Sequence, residues 1–213
     1  MAATATDRIA LDDAARLLAG RRSIRRYAAT PVPAALVDEL IRCATTAPSA
    51  HNRQPWRFSV IDAADAKARL ARAMGERLRA DRLADGDAPA AVEADVARSH
   101  ARITGAPVVV VVALTMADMD AYPDARRRDA EHRMAVQSTA MAVQNLLVAA
   151  HAAGLGACWM CAPLFCPDVV RAVAALPDDW EPQALVTLGF PDGDPKPATR
   201  GPFARFVRRT GTA

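Results

Sequence analysis

The longest apolar pattern in this 213-residue chain predicts a buried helix that begins near Arg126 and is most apolar from Met134 to Ala153. That stretch is rich in Ala, Val, Leu and Met and contains neither Pro nor Gly, which is a strong helix composition. Its polar residues Gln137, Gln144 and His151 recur every seven positions, so they form one stripe. We expect a sheet on one side of this helix and a partner subunit on the other.

Four shorter apolar segments predict strands. Val108 to Leu114 is so apolar that it indicates a central strand covered on both faces. The others are Trp56 to Ile61, Ala157 to Cys161 and Ala184 to Phe190. Gly154-Leu155-Gly156 separates the long helix from the strand that begins at Ala157, because glycine tolerates the left-handed backbone that ends many helices.

Helical patterns separate these strands along the chain. The predicted helices are Asp7 to Ala19, Pro33 to Ala47, Asp62 to Asp85, Ala88 to Thr104 and Pro167 to Ala175. This alternation indicates an α/β or α+β fold, a sheet with helices on both faces. The length suits one domain over residues 1–213. The helices within residues 62–104 are interpreted either as a lid over a ligand site or as a solvated surface.

The composition describes an ordinary globule. The net charge of +3 comes from 27 basic and 24 acidic residues that are well mixed, which argues against a nucleic-acid coat. Within the long helix, the longest unbroken apolar run is Leu146 to Ala150, far short of the roughly 18 to 20 residues that span a bilayer. The start MAATATDRIA lacks the apolar region of a secretory signal, so we expect a cytoplasmic location without membrane partners.

Several catalytic motifs are missing. The chain has no GxGxxG after a strand, no phosphate-binding GxxxxGK[ST], no HExxH and no GxSxG. Cys158, Cys161 and Cys166 suggest a metal site, with His151 nearby. However, residues three apart on a strand point to opposite faces, and the chain has no second CxxC. We therefore interpret the cysteines as core residues and predict no metal.

Two segments carry candidate chemistry. RRSIRRY, from Arg21 to Tyr27, places four arginines and a serine within six residues after a predicted helix end. Guanidinium groups bind phosphate through paired hydrogen bonds, although a solvated basic loop is the alternative. The second segment, APSAHNRQPWRF from Ala47 to Phe58, offers small residues for close backbone approach and the amides of Asn52 and Gln54 for a heterocycle edge. A simple turn is the alternative here.

Together these segments resemble the FMN-dependent nitroreductase superfamily over nearly the whole chain. RRSIRRY, APSAHNRQPWRF, QNLLVAAHAAGLGACW, LGFP and KPATR follow one another in the order of the family's motifs. Within the superfamily, PDARRRDAEHRM, GLGACWMCAPLFCPDVVR and LPDDWEPQALVTLGFP are most similar to the reductase domain of bacterial γ-glutamyl ligases of coenzyme F-420, a deazaflavin.

The resemblance implies FMN as the cofactor and assigns residues to its phosphate end. Arg21, Arg22, Ser23 and Arg25 would hold the phosphate and the ribityl chain. Arg200, in the Pro-rich tail that follows Pro191, would complete the phosphate clamp.

The resemblance also assigns residues to the isoalloxazine ring. Ser49 and Asn52 would reach it from the second subunit, because family members are homodimers with two flavins at the interface. Backbone groups around Met160 and Cys161 would face the N5 and O4 edge of the ring, where a donor N–H stabilises the reduced flavin. Family members often have glycine or serine at these two positions.

The implied fold is a three-layer α/β/α sandwich in an intertwined homodimer, with the long helix in the interface. The implied function is hydride transfer from NAD(P)H through FMN to an electron-poor acceptor such as a nitro or quinone compound. No catalytic side chain is expected, since the flavin does the redox chemistry. Two alternatives stay open. One is a reductase of the dehydro precursor of coenzyme F-420, with Arg77 and Arg79 facing its acidic tail, and the other is a non-catalytic flavin- or deazaflavin-binding protein.

Overall fold

The computed structural model describes residues 9–195 and 197–211. Within them, four strands form one antiparallel sheet in the order β1-β2-β4-β3. The strands are β1 (Trp56–Ile61), β2 (Val108–Leu114), β3 (Gly156–Met160) and β4 (Glu181–Gly189). The helices are α1 (Leu11–Gly20), α2 (Ala34–Thr45), α3 (Ala64–Ala84), α4 (Pro89–Thr104), α5 (Ala125–Ala152) and α6 (Pro167–Val173).

The sheet lies between two helical layers. Val110 and Val112 of β2 face a core that contains buried residues of α2 and α5. Val109 and Val111, which alternate with them, face a second core that contains residues of α3, α4 and α6. Every residue of β2 is buried. The central strand covered on both faces and the three-layer arrangement are therefore confirmed.

The bounds of β1 and β2 are those predicted, whereas β4 begins three residues earlier than expected. Its second residue is Pro182, which pairs with Ala113 next to a register shift between Val112 and Ala113. Proline has no N–H to donate to a ladder and is tolerated within sheets at such irregularities. The strand therefore continues through a residue that normally ends one.

The first two helices are shorter than predicted. Ala10 has an extended backbone, with φ −62° and ψ 144°, so the helix that we expected from Asp7 begins at Leu11. Asp7 itself, and Lys196 of the KPATR segment, lie outside the described residues. The second helix runs only to Thr45, with Pro33 as its N-cap.

Helix α5 begins at Ala125 and runs for 28 residues, close to the predicted start. One face is buried against the sheet and α2, with Ala142, Val143 and Leu146 fully inaccessible. Met141, on another face, is 40% exposed. The expectation that a partner subunit covers this second face stays a prediction. No helix in the described part of the chain is long and apolar enough to cross a membrane.

Candidate functional site

Arginines from three separate parts of the chain line one open cavity of about 580 Å³. We call it the arginine cavity. Segment 21–26, the last turn of α4 and the tail after β4 contribute its charged residues. These are Arg21, Arg22, Arg25, Arg26, Arg102 and Arg200, together with Asp192 and Asp194, and the hydroxyl-bearing Ser23 also lines it.

The backbone of segment 21–26 is fixed against the start of β3. The Ile24 N–H donates to the Ala157 carbonyl at 3.0 Å, and Ser23 forms a parallel bridge with Ala157. Gly156 allows this close approach, because a Cβ there would lie 2.7 Å from the Cβ of Ile24. The arginines are thus held at one corner of the sheet, beside its edge strand.

Tyr27 fastens the other end of the segment. Its hydroxyl lies 2.6 Å from the Ile24 carbonyl oxygen and 2.7 Å from Thr187 Oγ1 of β4. Burial raises the pKa of Tyr27, so the phenol stays neutral and remains a hydrogen-bond donor. The tail runs alongside, since the Ala28 N–H donates to the Phe190 carbonyl at 2.9 Å. This pairing brings the tail, with Arg200, to the cavity.

In the described part of the chain, the six arginines of the cavity outnumber its two carboxylates, those of Asp192 and Asp194. Elsewhere many arginines pair with carboxylates, such as Arg57 with Asp118 at 3.1 Å. Within residues 9–195 and 197–211, none of the six cavity arginines has a carboxylate within 4.0 Å. Like charges gathered without partners are unfavourable unless an anion binds among them. The cavity therefore has the electrostatics of an anion site.

Cys158 of β3 shows how closely the arginines gather. Burial is the main influence on its thiol and raises the pKa. Arg25, Arg102 and Arg21 act in the opposite direction, because a cation favours the thiolate. Guanidinium groups from segment 21–26 and from α4 are therefore near the same sulfur atom.

Ser49 and Asn52 lie in a different place, in a strained loop before β1. His51, Asn52 and Gln54 have left-handed backbones, with φ of 48°, 54° and 51°. Such a conformation costs most non-glycine residues about 1–2 kcal/mol, although Asn tolerates it better than most. Loops that retain such strain are concentrated at functional sites.

Hydrogen bonds hold this loop in its strained form. The Ala50 N–H donates to Ser138 Oγ of α5 at 3.1 Å, and the Gln54 N–H donates to Ser49 Oγ at 3.0 Å. Arg53 also forms an ion pair with Asp120. The Ser49 hydroxyl thus has a structural role in its own chain, while the side chain of Asn52 is exposed.

The loop and the arginine cavity lie at opposite corners of the sheet. Trp56 and Ala157 are on the two edge strands, separated by three inter-strand spacings of about 4.8 Å, or about 14 Å in all. Along the strand direction, the two corners are separated by almost the full length of the nine-residue β4, roughly 25 Å. The diagonal is therefore roughly 30 Å, so one flavin cannot contact both groups of a single chain.

Met160 is the last residue of β3 and Cys161 follows it, so both lie beyond the part of β3 that contacts the arginine segment. Met160 is three residues beyond Ala157, or roughly 10 Å. It is half-buried and packs against the second core, whereas Cys161 is exposed at the start of a short 3₁₀ turn. Neither residue lines the arginine cavity.

Sequence reasoning missed Arg102 as a residue of this site. It is one arginine in a charged helix, without neighbours that would distinguish it. Arg77 and Arg79, considered for an acidic substrate, pair instead with Asp168 at 2.8 Å and with Glu93 at 2.6 Å. The Arg77 guanidinium holds the pKa of Asp168 below its usual value. An acidic substrate would therefore have to displace a carboxylate of the chain at each position.

The cysteines do not form a cluster of the kind that binds a metal. Cys158 and Cys166 are buried, as expected of core residues, whereas that expectation is wrong for Cys161, which is exposed after the end of β3. In the described part of the chain, no three His, Cys, Asp or Glu side chains lie close enough together to hold a metal ion.

Known proteins resemble the chain over most of its length. Residues 18–190 match the nitroreductase family. A protein named NADH dehydrogenase from Thermus thermophilus is 32% identical over 212 residues, covering 88% of this chain and 91% of that protein. A protein of Methanothermobacter thermautotrophicus, named as an NADH dehydrogenase/NAD(P)H nitroreductase, is 28% identical over 177 residues, 82% of this chain and 75% of that protein.

Solved structures show the same fold. A protein from Desulfovibrio desulfuricans, described as a nitroreductase in complex with FMN, aligns with a TM-score of 0.70 and 25% identity. The alignment covers 93% of this chain and 97% of that one.

Proposed function

The chain belongs to the nitroreductase family, and on this premise we propose that it is an FMN-dependent oxidoreductase. It transfers hydride from NAD(P)H through FMN to an electron-poor acceptor such as a nitro compound or a quinone. The names of the relatives from Thermus and Methanothermobacter support the pyridine-nucleotide donor, and the complex of the Desulfovibrio protein supports the cofactor.

The observation that carries this proposal is the arginine cavity, where six guanidinium groups stand against two carboxylates. A phosphomonoester carries a charge of about −1.5 to −2 at pH 7 and accepts paired hydrogen bonds from guanidinium groups. Arg21, Arg22, Arg25 and Arg200 would hold the phosphate, and the Ser23 hydroxyl would add one donor. The cavity thus suits the phosphate end of FMN in charge and in donor chemistry.

The remainder of FMN would extend along β3. Roughly 10 Å separate the arginine segment from Met160, which the ribityl chain with its phosphate can span. Backbone groups of Met160 and Cys161 would then face the N5 and O4 edge of the ring. Bound FMN supplies the hydride chemistry, while the protein fixes its position and charge.

A homodimer would bring the strained loop to the flavin. Even Met160 lies about 20 Å from the start of β1 within one chain, given the strand spacing and rise. Ser49 and Asn52 would therefore act on the flavin of the partner. Large apolar side chains exposed at both ends of the chain, at Leu11 and Phe203 with 83% and 72% exposure, support such a second subunit.

A narrower substrate is the second candidate. The segments similar to the reductase domain of coenzyme F-420 ligases favour reduction of a dehydro-deazaflavin precursor in the cytoplasm. The helices α3 and α4 would then form a lid beside the ring. The ion pairs of Arg77 and Arg79 give an acidic tail of that substrate no free partner at these two positions.

Absorbance spectroscopy tests the proposal. Purified protein loaded with FMN should be yellow, and anaerobic addition of NADH or NADPH should bleach the flavin bands. Addition of a quinone should restore them. A protein that binds flavin but is not reduced by either nucleotide would instead be a flavin-binding protein. Slow reoxidation by quinones together with fast reoxidation by the deazaflavin precursor would favour the narrower substrate.

A double variant tests the phosphate clamp. Arg21→Ala with Arg200→Ala should give colourless protein that remains dimeric, because the clamp loses guanidinium groups from both ends of the chain. Flavin content per chain and light scattering measure the two properties. Arg16→Ala with Arg208→Ala removes the same charge outside the arginine cavity and should stay yellow. Full flavin content in the first variant would contradict the placement of FMN.

A further inference from the structure

We propose that Arg102 of α4 is a ligand of the cofactor phosphate and that it couples FMN binding to the packing of the α3–α4 helical pair on the sheet. This inference rests on the proposed FMN site. It adds a residue that lies in neither the arginine-rich segment nor the tail.

The position of Arg102 supports the first half of the proposal. Its side chain lines the arginine cavity together with Arg21, Arg25 and Arg200. No carboxylate of the described residues lies within ion-pair distance of it, although its neighbour Arg98, four positions earlier on the helix, pairs with Asp95. Arg25 and Arg102 also act on the same buried thiol, that of Cys158. A phosphate held by Arg25 therefore lies within the field of Arg102.

Packing and hydrogen bonds hold the backbone next to Arg102. The next residue, Ile103, is completely buried in the second core. Just beyond the end of α4, Lys67 Nζ of α3 donates to the carbonyl oxygens of Ala106 and Pro107 at 2.7 and 2.8 Å. An anion that binds Arg102 therefore has to order only a half-buried side chain and not the backbone that carries it.

Ion pairs join α3 and α4 into one unit. Arg79 of α3 binds Glu93 of α4 at 2.6 Å, and Arg82 pairs with Asp95. Val92 of α4 is fully buried, and Gly75 of α3 lets Val96 approach, since a Cβ there would lie 3.1 Å from Val96 Cγ1. A change in the position of the last turn of α4 should therefore also move α3.

The charge balance predicts the direction of the coupling. Without an anion, the cavity has six arginines and only the two carboxylates of Asp192 and Asp194, so repulsion among the arginines opposes the approach of α4 to segment 21–26. A bound phosphate would attract Arg102 and the arginines of segment 21–26 alike, so repulsion would be replaced by attraction. FMN binding should therefore stabilise the helical pair on the sheet, and loss of Arg102 should weaken FMN binding.

Flavin binding to apoprotein provides the first test, with FMN and riboflavin as probes. Riboflavin lacks the phosphate and is otherwise identical. Arg102→Gln should weaken FMN binding about 10- to 100-fold, the usual effect of losing a hydrogen bond to a charged group. It should leave riboflavin binding unchanged. Arg98→Gln removes the same charge from the same helix and should bind both flavins as the wild type does.

Hydrogen exchange tests the coupling. In the wild type, FMN should slow amide exchange over residues 64–104 more than riboflavin does, and Arg102→Gln should abolish that difference. Arg102→Lys keeps the charge without the planar guanidinium and should retain part of both effects. If Arg102→Gln unfolds at a clearly lower temperature than the wild type, both measurements are made on Arg102→Lys instead.

Two results would overturn the inference. One is FMN affinity within twofold of the wild type in Arg102→Gln, and the other is an equal loss of FMN and riboflavin binding. Failure of the proposed function is distinguishable from either, because wild-type protein would then bind FMN no better than riboflavin. If the variant of Arg21 and Arg200 loses FMN while Arg102→Gln keeps it, only the role of Arg102 fails.

Discussion

The contact between segment 21–26 and β3 depends on a missing side chain at position 156. A methyl group on Gly156 would collide with Ile24, which lies between the arginines that we assign to the phosphate. Gly156→Ala should therefore displace the segment and weaken FMN binding at least tenfold. Fluorescence titration with FMN and thermal unfolding measure the two effects.

Gly154 is the matched control, two residues earlier. It has a φ of +75°, and no atom lies within 4 Å of the position that a methyl group would take there. Gly154→Ala should lower the free energy of unfolding by about 1–2 kcal/mol through backbone strain and leave FMN affinity unchanged. Equal FMN affinity in both variants would show that the close approach of Ile24 does not matter for the cofactor.

The thiols provide a second test at the residue scale. Burial raises the pKa of both Cys158 and Cys166, so each has less reactive thiolate at a given pH than a free cysteine. In FMN-free protein at pH 7.5, iodoacetamide should modify exposed Cys161 first. Modification of the two buried thiols should rise only at clearly higher pH or after unfolding. Mass spectrometry of tryptic peptides measures the order, and rapid loss of Cys158 at pH 7.5 would contradict it.

At the residue scale, the sequence predicted the cavity arginines that are adjacent in the chain. It did not predict Arg102, which only the folded chain brings close to them. Arg21, Arg22 and Arg25 are conspicuous because they are adjacent, and Arg200 follows a recognisable strand end. Arg102 reaches the arginine cavity only because the fold brings the last turn of α4 close to segment 21–26 and the tail. Nothing in its neighbourhood along the chain indicates that contact.

At the scale of elements, the apolar patterns located the buried strands. They missed strand ends that depend on how two strands pair. The five valines of β2 predict a strand regardless of context, and its bounds were right. The predicted start of β4, at Ala184, was wrong because a proline such as Pro182 normally ends a strand. Only the irregular pairing of β2 with β4 shows why proline is tolerated there.

The strained conformation of the loop before β1 is another feature that the sequence did not predict. The sequence shows candidate polar groups at Ser49 and Asn52, but not the left-handed backbones of His51, Asn52 and Gln54. The loop is anchored by the Ala50 N–H, which donates to Ser138 of α5, 88 residues away along the chain. Histidine and asparagine are enriched at left-handed positions, but such a preference does not show which residues of a loop adopt that backbone.

At the scale of the whole molecule, the sheet itself separates the two proposed halves of the flavin site. The arginine cavity adjoins β3 and the strained loop adjoins β1, at opposite corners roughly 30 Å apart. A two-fold axis can place one corner of each chain beside the other corner of its partner. In such an arrangement every flavin depends on both chains, which is a claim that mixed dimers can test.

Two variants with complementary defects make the test. One chain carries Arg21→Ala with Arg200→Ala and cannot hold phosphate. The other carries Asn52→Asp, which keeps the shape and the tolerance for a left-handed backbone but loses the amide donor. If the sites are shared, a mixed dimer has one site with both defects and one site with none. Differently tagged chains, purified together, should therefore bind one FMN per dimer with wild-type affinity and regain about half of the NAD(P)H-dependent reduction.

The two homodimers give the reference values. The arginine variant should be colourless, and the Asn52→Asp variant should reduce quinone slowly because each of its sites carries the loop defect. A site built within one chain predicts the opposite outcome for the mixed dimer, since each of its chains would then carry one defect and no site would be intact. Recovery of an intact site on mixing requires that the flavin lie between chains, and absence of recovery in a stable mixed dimer would rule that arrangement out.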